Sequence, residues 1–258
     1  VNATIPVVKM NGTHNDFILV DGRDQLPDDP VAFARRVCDR ASGIGADGLL
    51  LLLPSEVADV RMRIINADGS EAEMCGNGTR CVARYLDEHD GRAAALLETL
   101  AGPIATTIVA RDPEYAVSVE LNVPLVGQAH GVAGFDAIPV DVGNPHVVIF
   151  VDDVDAIDIR TLGPRIEHDP RYPHGTNVHL AQILAPDSVR AVHWERGAGA
   201  TQACGTGAVA IAAAGIVTRG LRSPVAVDVP GGRLTIVWTP GGRAVMTGDA
   251  VREFTTSA

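Results

Sequence analysis

Short apolar or alternating runs bounded by Gly, Pro and Asn dominate the chain. They predict strands at Gly48 to Leu53, Val60 to Ile65, Tyr115 to Leu121, Val147 to Val151, Val225 to Val229 and Leu234 to Trp238. Helix signals are fewer. Asp28-Asp29-Pro30 supplies cap and first-turn residues for a helix towards Arg40, with Val31, Phe33, Ala34, Val37 and Cys38 on its apolar stripe. A second helix is expected from near Gly76 to before Gly91, and a third from near Gly205 to Gly220. The third reads AVAIAAAGIVTRG, apolar all round until its last turn, so other elements must surround it. Sheets wrapped around a central helix meet that need, and the expected class is α+β with mostly antiparallel strands.

The pattern occurs twice. Cys75-Gly76-Asn77-Gly78 recurs as Cys204-Gly205-Thr206-Gly207, each followed by an apolar helix. The same gapless offset of 129 residues places Asn15 of HNDFILVD opposite Asn144 of GNPHVVIF, Arg61 opposite Arg190, and Asn66 opposite Glu195. Two copies of one fold unit, each of about 120 residues, explain several features recurring in one register.

Composition narrows the chemistry. The 258 residues, 46% hydrophobic and 21% charged, describe an ordinary globular chain. A net charge of −11 disfavours nucleic acid as a partner. The longest nearly uncharged stretch, Ala208 to Val217, is half the roughly 20 residues needed to span a bilayer, and no signal segment opens the chain. No membrane association and a cytoplasmic location are therefore expected. Lys9 is the single lysine, which makes a pyridoxal-phosphate Schiff base improbable. Four cysteines without C-x-x-C or C/H spacing argue against a structural metal.

Cysteine followed by Gly-x-Gly at a helix start has direct chemical consequences. The first backbone N–H groups lack intrahelical partners, the helix dipole is positive there, and the glycines admit a close ligand. Each copy offers donors for a carboxylate and a field favouring thiolate. Alone, either copy admits a cysteine nucleophile, an anion-binding loop or plain packing. Together, two such domains facing one another across a cleft would aim two thiols at one ligand from opposite sides. Deprotonation and reprotonation with inversion require that arrangement. A cysteine protease or acyltransferase would leave the second copy unexplained. Cys38 and Cys81 fall on apolar runs and are expected in the core.

The motifs KMNGTHNDF, GIGADG, NADGSEAEMCGNGTRC, ETLAGP, VGNPHV, LGPRIEHDPRYPHGTNV and ERGAGATQACGTG together resemble the diaminopimelate epimerase family, cofactor-free two-cysteine isomerases of lysine and peptidoglycan precursor synthesis. The resemblance implies two pseudo-symmetric domains, each a mostly antiparallel sheet wrapped around a helix, with the active site in the cleft between them. Residues 1–120, to which a strand at 248–258 returns, would form one, and residues 121–247 the other. It implies Cys75 and Cys204 as the acid/base pair, and His146 and Glu195 as modulators of thiol pKa. Gly76, Asn77, Gly205 and Thr206 would cradle the reacting carboxylate, with Asn15, Asn66, Asn144, Asn177, Glu195 and Arg196 at substrate-binding positions. Arg196 suits a second carboxylate and Glu195 an ammonium group.

The expected reaction is interconversion of LL- and meso-diaminopimelate without cofactor or metal, by a homodimer whose partner is a small molecule. A racemase of the same fold acting on another amino acid, or a non-catalytic carboxylate-binding protein, are the alternatives. The chain departs from the family pattern at His14, Gly48 and Ala200. Asp47 and Asp68, in D-G dipeptides, read as turn residues.

Overall fold

The computed structural model describes residues 4–258. They fall into two compact units. One comprises the chain up to Val119 together with Gly248–Ala258, and the other Glu120–Thr247.

The first unit runs β1 (Pro6–Gly12), β2 (Asn15–Asp21), α1 (Pro30–Cys38), β3 (Gly48–Leu53), β4 (Val60–Asn66), β5 (Glu71–Ala72), α2 (Gly76–Asp90), β6 (Ala94–Thr99), β7 (Gly102–Ala110) and the start of β8 (Ala116–Leu121). The second runs β9 (Leu125–Val126), β10 (His130–Val132), β11 (Phe135–Asp141), β12 (Pro145–Phe150), α3 (Ile159–Glu167), β13 (Asn177–Ala185), β14 (Ser188–Glu195), β15 (Gly199–Thr201), α4 (Gly205–Thr218), β16 (Val225–Val229), β17 (Gly232–Val237) and most of β18 (Ala244–Asp249). The last strand, β19 (Val251–Ser257), belongs to the first unit, where it pairs antiparallel with β1 from Pro6↔Ser257 to Asn11↔Val251.

Pairing repeats with the sequence. β1 and β2 are antiparallel, β2 and β3 parallel, and β3 and β4 antiparallel; β11, β12, β13 and β14 reproduce that order. The parallel pair β4–β6 likewise matches β14–β16. Each unit thus carries two parallel joins in an otherwise antiparallel sheet, because a crossover helix sits between the strands they join.

The continuous run GLLLLL of β3 is apolar at every position because both its faces are covered. Leu50 and Leu52 pack with Val82 and Leu86 of α2, while Leu49 and Leu51 pack with Phe33 and Val37 of α1. Cys81 lies in the first cluster and Cys38 in the second, both fully buried, and burial pushes both thiols up, Cys38 to about 11. In the second unit α4 is buried from Ala208 to Gly215 and touches β9, β11, β12, β13, β16 and β17. That is the surround its apolar sequence demanded.

One helix escaped the sequence pattern. α3 contains Gly163-Pro164, a pair that normally ends helices, yet it holds. The side chain of its N-cap Asp158 accepts from Arg160 N–H, and Gly163 lets the helix lie against Trp194, whose Cγ a Cβ at 163 would meet at 2.3 Å. At the offset of 129 residues α3 is the counterpart of α1, a correspondence in the repeat that would have located it.

Candidate functional site

In the first unit the strand pair β1–β2 closes through Thr13 and His14, both with positive φ (53° and 59°), as a two-residue hairpin turn requires. His14, one of the departures, occupies a conformation that suits Gly or Asn better. The turn is held by a fully buried Arg80 of α2. Its Nη2 donates to Thr13 Oγ1 and its Nε to Asp249 O at 2.8 Å, while Asp249 Oδ1 accepts from Thr13 N at 2.8 Å.

That turn delivers Asn15 to the start of α2. Cys75 caps the helix in an extended conformation (φ −142°), and its Sγ accepts from Gly78 N–H at 3.5 Å. The thiol lies 3.7 Å from Asn15 Oδ1, which also accepts from Asn77 Nδ2 at 3.3 Å. Asn15 Nδ2 donates to Asp47 Oδ2 at 2.6 Å, and Arg40 bridges Asp47 and Asp16. Asp47, read from sequence as a turn residue, therefore orients the Asn15 amide. Burial opposes ionisation of Asp16, but hydrogen bonds from Arg40 and Lys9 outweigh it and hold the carboxyl well below its ordinary range. Lys9 is spent on this scaffold, paired with Asp16 at 2.5 Å and donating to Gly45 O.

Asn66 is the outlier of this half-site. It ends β4 opposite Gly48, and its Nδ2 donates to Ser70 Oγ at 2.9 Å rather than to the Asn15 cluster. At Gly48 a Cβ would stand 3.0 Å from Ile65 O, so a side chain there would press on the backbone of β4. Asn77 Oδ1 is buried without a hydrogen-bond partner, an acceptor left open beside Cys75.

In the second unit Cys204 caps α4 in the same extended conformation (φ −127°), 3.7 Å from Thr206 Oγ1. Burial pushes its thiol well above the ordinary range and the Glu195 carboxylate pushes it further, against the Gly207 N–H and the Thr206 hydroxyl. The helix start was expected to favour thiolate. Full burial can raise a pKa by 3–5 units, whereas a helix terminus contributes at most about 2 kcal/mol, near 1.5 units, so Cys204 is held as the thiol. Burial also raises Glu195, with Thr201 and Cys204 acting the other way.

Glu195 and Arg196 sit where β14 turns into β15. The buried Glu167 of α3 fixes this turn by accepting from Trp194 Nε1 at 2.6 Å and from Gly197 N at 3.0 Å. Asn177 is spent on the same scaffold, donating to Pro145 O at 2.8 Å and accepting from Arg196 N at 3.0 Å. Arg196 Nη1 reaches His174 O at 3.1 Å and the side chain remains exposed. Ala200 faces Trp194 across β14–β15, leaving Glu195 as the carboxylate that acts on Cys204.

Three histidines lie behind Cys204. His146 Nε2 contacts Asn144 Oδ1 at 2.8 Å, His146 Nδ1 contacts His179 Nε2 at 2.9 Å, and His179 Nδ1 contacts His193 Nδ1 at 2.8 Å. His179 and His193 lie just outside the family motifs, which give no signal for them. One existed: Asn144/His146, Asn177/His179 and His193/Glu195 are each two residues apart on neighbouring strands, so each histidine shares a face with a motif residue. Donor atoms of His146, His179 and Cys204 lie within 4.8 Å of one another, the one such group of metal-ligating type among the described residues. The facing nitrogens of the two rings are already engaged with each other, so a cation there would have to displace that hydrogen bond.

The thiols should differ in reactivity. Cys75 is half-buried and Cys204 buried and raised, so iodoacetamide at about pH 8 should modify Cys75 first, as peptide mass spectrometry would show. In Glu195→Gln the pH profile for Cys204 should move to lower pH, because a carboxylate that disfavours thiolate is gone. An unchanged or rising profile would contradict the electrostatic coupling.

A helix capped by cysteine and enclosed by sheet, present twice in one chain, defines a protein with the fold of PhzF-type proteins and two-domain epimerases. A phenazine biosynthesis protein of the PhzF family from Bacillus anthracis matches it with a TM-score of 0.76 over 99% of each chain, at 17% identity. Sequence relationship is far stronger to diaminopimelate epimerases: the chain is 45% identical to that of Desulforudis audaxviator (95% of this chain, 96% of the relative) and 46% identical to that of Carboxydothermus hydrogenoformans (94% and 95%). The family model described as diaminopimelate epimerase matches residues 7–124 and 138–253, and the chain belongs to that family.

Proposed function

We propose that the chain interconverts LL- and meso-diaminopimelate by proton transfer at Cα between two thiols, without a cofactor. The observation that carries this reading is the pair of cysteines, each capping a buried helix start, in a member of the diaminopimelate epimerase family. In the direction where Cys75 takes the Cα proton, Cys204, kept protonated by burial and Glu195, delivers one to the opposite face; the roles exchange for the other isomer. Backbone N–H groups at Gly76 and Asn77, and at Gly205 and Thr206, stabilise the charge that develops on the adjacent carboxylate. Asn15 and Asn77 orient the reacting end. Asn144, Glu195 and Arg196 supply a donor, an ammonium acceptor and a carboxylate clamp, with Asn177 holding Arg196 in place. Asn66 contributes through the N–H not spent on Ser70.

Incubation with LL-diaminopimelate in deuterated water should place deuterium at the inverted Cα. Retention of protium there would contradict exchange through thiols. A monocarboxylic amino acid turned over faster than diaminopimelate would point instead to a racemase of the same fold, and ligand binding with no Cα exchange to a carboxylate-binding protein.

Among the described residues no helix is long and apolar enough to cross a membrane. All four cysteines are free, and a reaction on two reduced thiols supports placement in the cytoplasm. The exposed β19, carrying Val251 and Phe254, supports pairing of two copies, and light scattering should return twice the chain mass.

A further inference from the structure

The histidine chain behind Cys204 has a direction. Burial lowers His146 to about 3 and His193 to about 4, and lowers His179 well below its ordinary value, so all three rings are neutral and each has one N–H and one lone pair. The far end of the chain, His193 Nε2, is buried with no hydrogen-bond partner. A buried orphan N–H is rarer than an orphan acceptor, so the lone pair belongs at Nε2 and the proton at Nδ1. Every later step then follows. His193 Nδ1–H donates to His179 Nδ1, His179 Nε2–H donates to His146 Nδ1, and His146 Nε2–H donates to Asn144 Oδ1.

His179 cannot turn out of this line. It lies against the first turn of α4 at Gly207, where a Cβ would stand 2.5 Å from its Cε1 and 2.9 Å from its Nε2. With Oδ1 engaged, the half-buried Asn144 keeps Nδ2, a two-proton donor, without a partner among the described residues. The opposite tautomers would turn the amide round and offer an acceptor instead.

We infer that His179 and His193 are positioning residues: they lock His146 as the Nε2–H tautomer and thereby orient the Asn144 amide with its NH2 towards an anionic substrate group. The inference rests on the proposed reaction for the role of Asn144 as a substrate contact, and supplies the reason that this contact is a donor. It assigns the second unit a specificity for carboxylate over ammonium at that point, in opposition to Glu195.

Two measurements test it. Long-range proton–nitrogen correlation NMR on the uniformly 15N-labelled full chain, without substrate, should show His146 and His179 protonated on Nε2 and His193 on Nδ1. His146 protonated on Nδ1 would overturn the inference. In kinetics, His179→Leu removes the donor to His146, and His179→Gln restores one. The leucine variant should raise KM for diaminopimelate about 10-fold, the loss of roughly one hydrogen bond to a charged group, with kcat within about 3-fold. The glutamine variant should recover most of that KM. An unchanged KM in a folded His179→Leu protein, or equal loss in both variants, would overturn the inference. A parent chain with no activity on diaminopimelate would remove the proposed reaction instead, while the tautomers would still decide the histidine assignment.

Discussion

Cys204→Ala should abolish epimerisation, lowering turnover by at least the 10²–10⁴-fold that a positioned acid or base contributes, and Cys75→Ala should do the same. A single remaining thiol can still remove and return the Cα proton on its own face. Each variant should therefore exchange the Cα hydrogen of one diaminopimelate isomer with solvent, without inversion, and the preferred isomer should switch between Cys75→Ala and Cys204→Ala. The switch is the signature of two bases acting on opposite faces. Exchange of both isomers in either variant, or inversion by a single-thiol variant, would remove one cysteine from the mechanism. Neither substitution should unfold the protein, since Cys75 is only half-buried with a long cap contact at 3.5 Å, and Cys204 makes only weak contacts such as that to Thr206 Oγ1 at 3.7 Å.

Arg80→Met should produce the largest loss of stability among single changes near the first half-site. The guanidinium is fully buried and its donors are taken by Asp249 O, Thr13 Oγ1 and Gly76 O, with the Asp249 carboxylate at 3.8 Å. Burial lowers its pKa, yet an arginine remains charged. Removing it takes the buried donor from Asp249 O and Thr13 Oγ1 and the counter-charge from the Asp249 carboxylate, a loss of about 3 kcal/mol, at the lower end for broken buried pairs because Asp249 keeps some water. The denaturant midpoint should fall at unchanged slope. Activity should fall even where the protein is folded, because the Thr13–His14 turn that aims Asn15 at Cys75 loses its anchor. A midpoint within about 0.5 kcal/mol of the parent would show that the arginine is dispensable. Arg80→Lys should rescue little, since one ammonium cannot replace the planar fork.

Much of the fold is legible in the sequence. The uninterrupted leucines of β3 demanded cover on both faces, and α1 and α2 supply it. The alternation at Val225–Val229 marked a strand that the structure reproduces residue for residue. The uniformly apolar stretch after Cys204 required an enclosing sheet. α3 was missed because Gly163-Pro164 is a local stop signal, overridden by packing against Trp194. Asp47 was set aside because a D-G dipeptide serves turns and ligand networks equally well in one dimension. His179 and His193 were missed because alternate positions on a strand show which residues share a face, but not which strand will lie beside it.

By itself, the sequence determined the α+β class, the duplication at an offset of 129 residues and the two capping cysteines. These rest on local periodicity and on self-similarity, both of which are written along the chain. Tertiary structure alone decided that burial and Glu195 keep Cys204 protonated, that Arg80 and Asp249 brace the turn carrying Asn15, and that three histidines align behind Asn144. Those facts depend on desolvation and on hydrogen bonds between residues as many as 236 positions apart. Such distances are set by which strands become neighbours, and no local pattern specifies that.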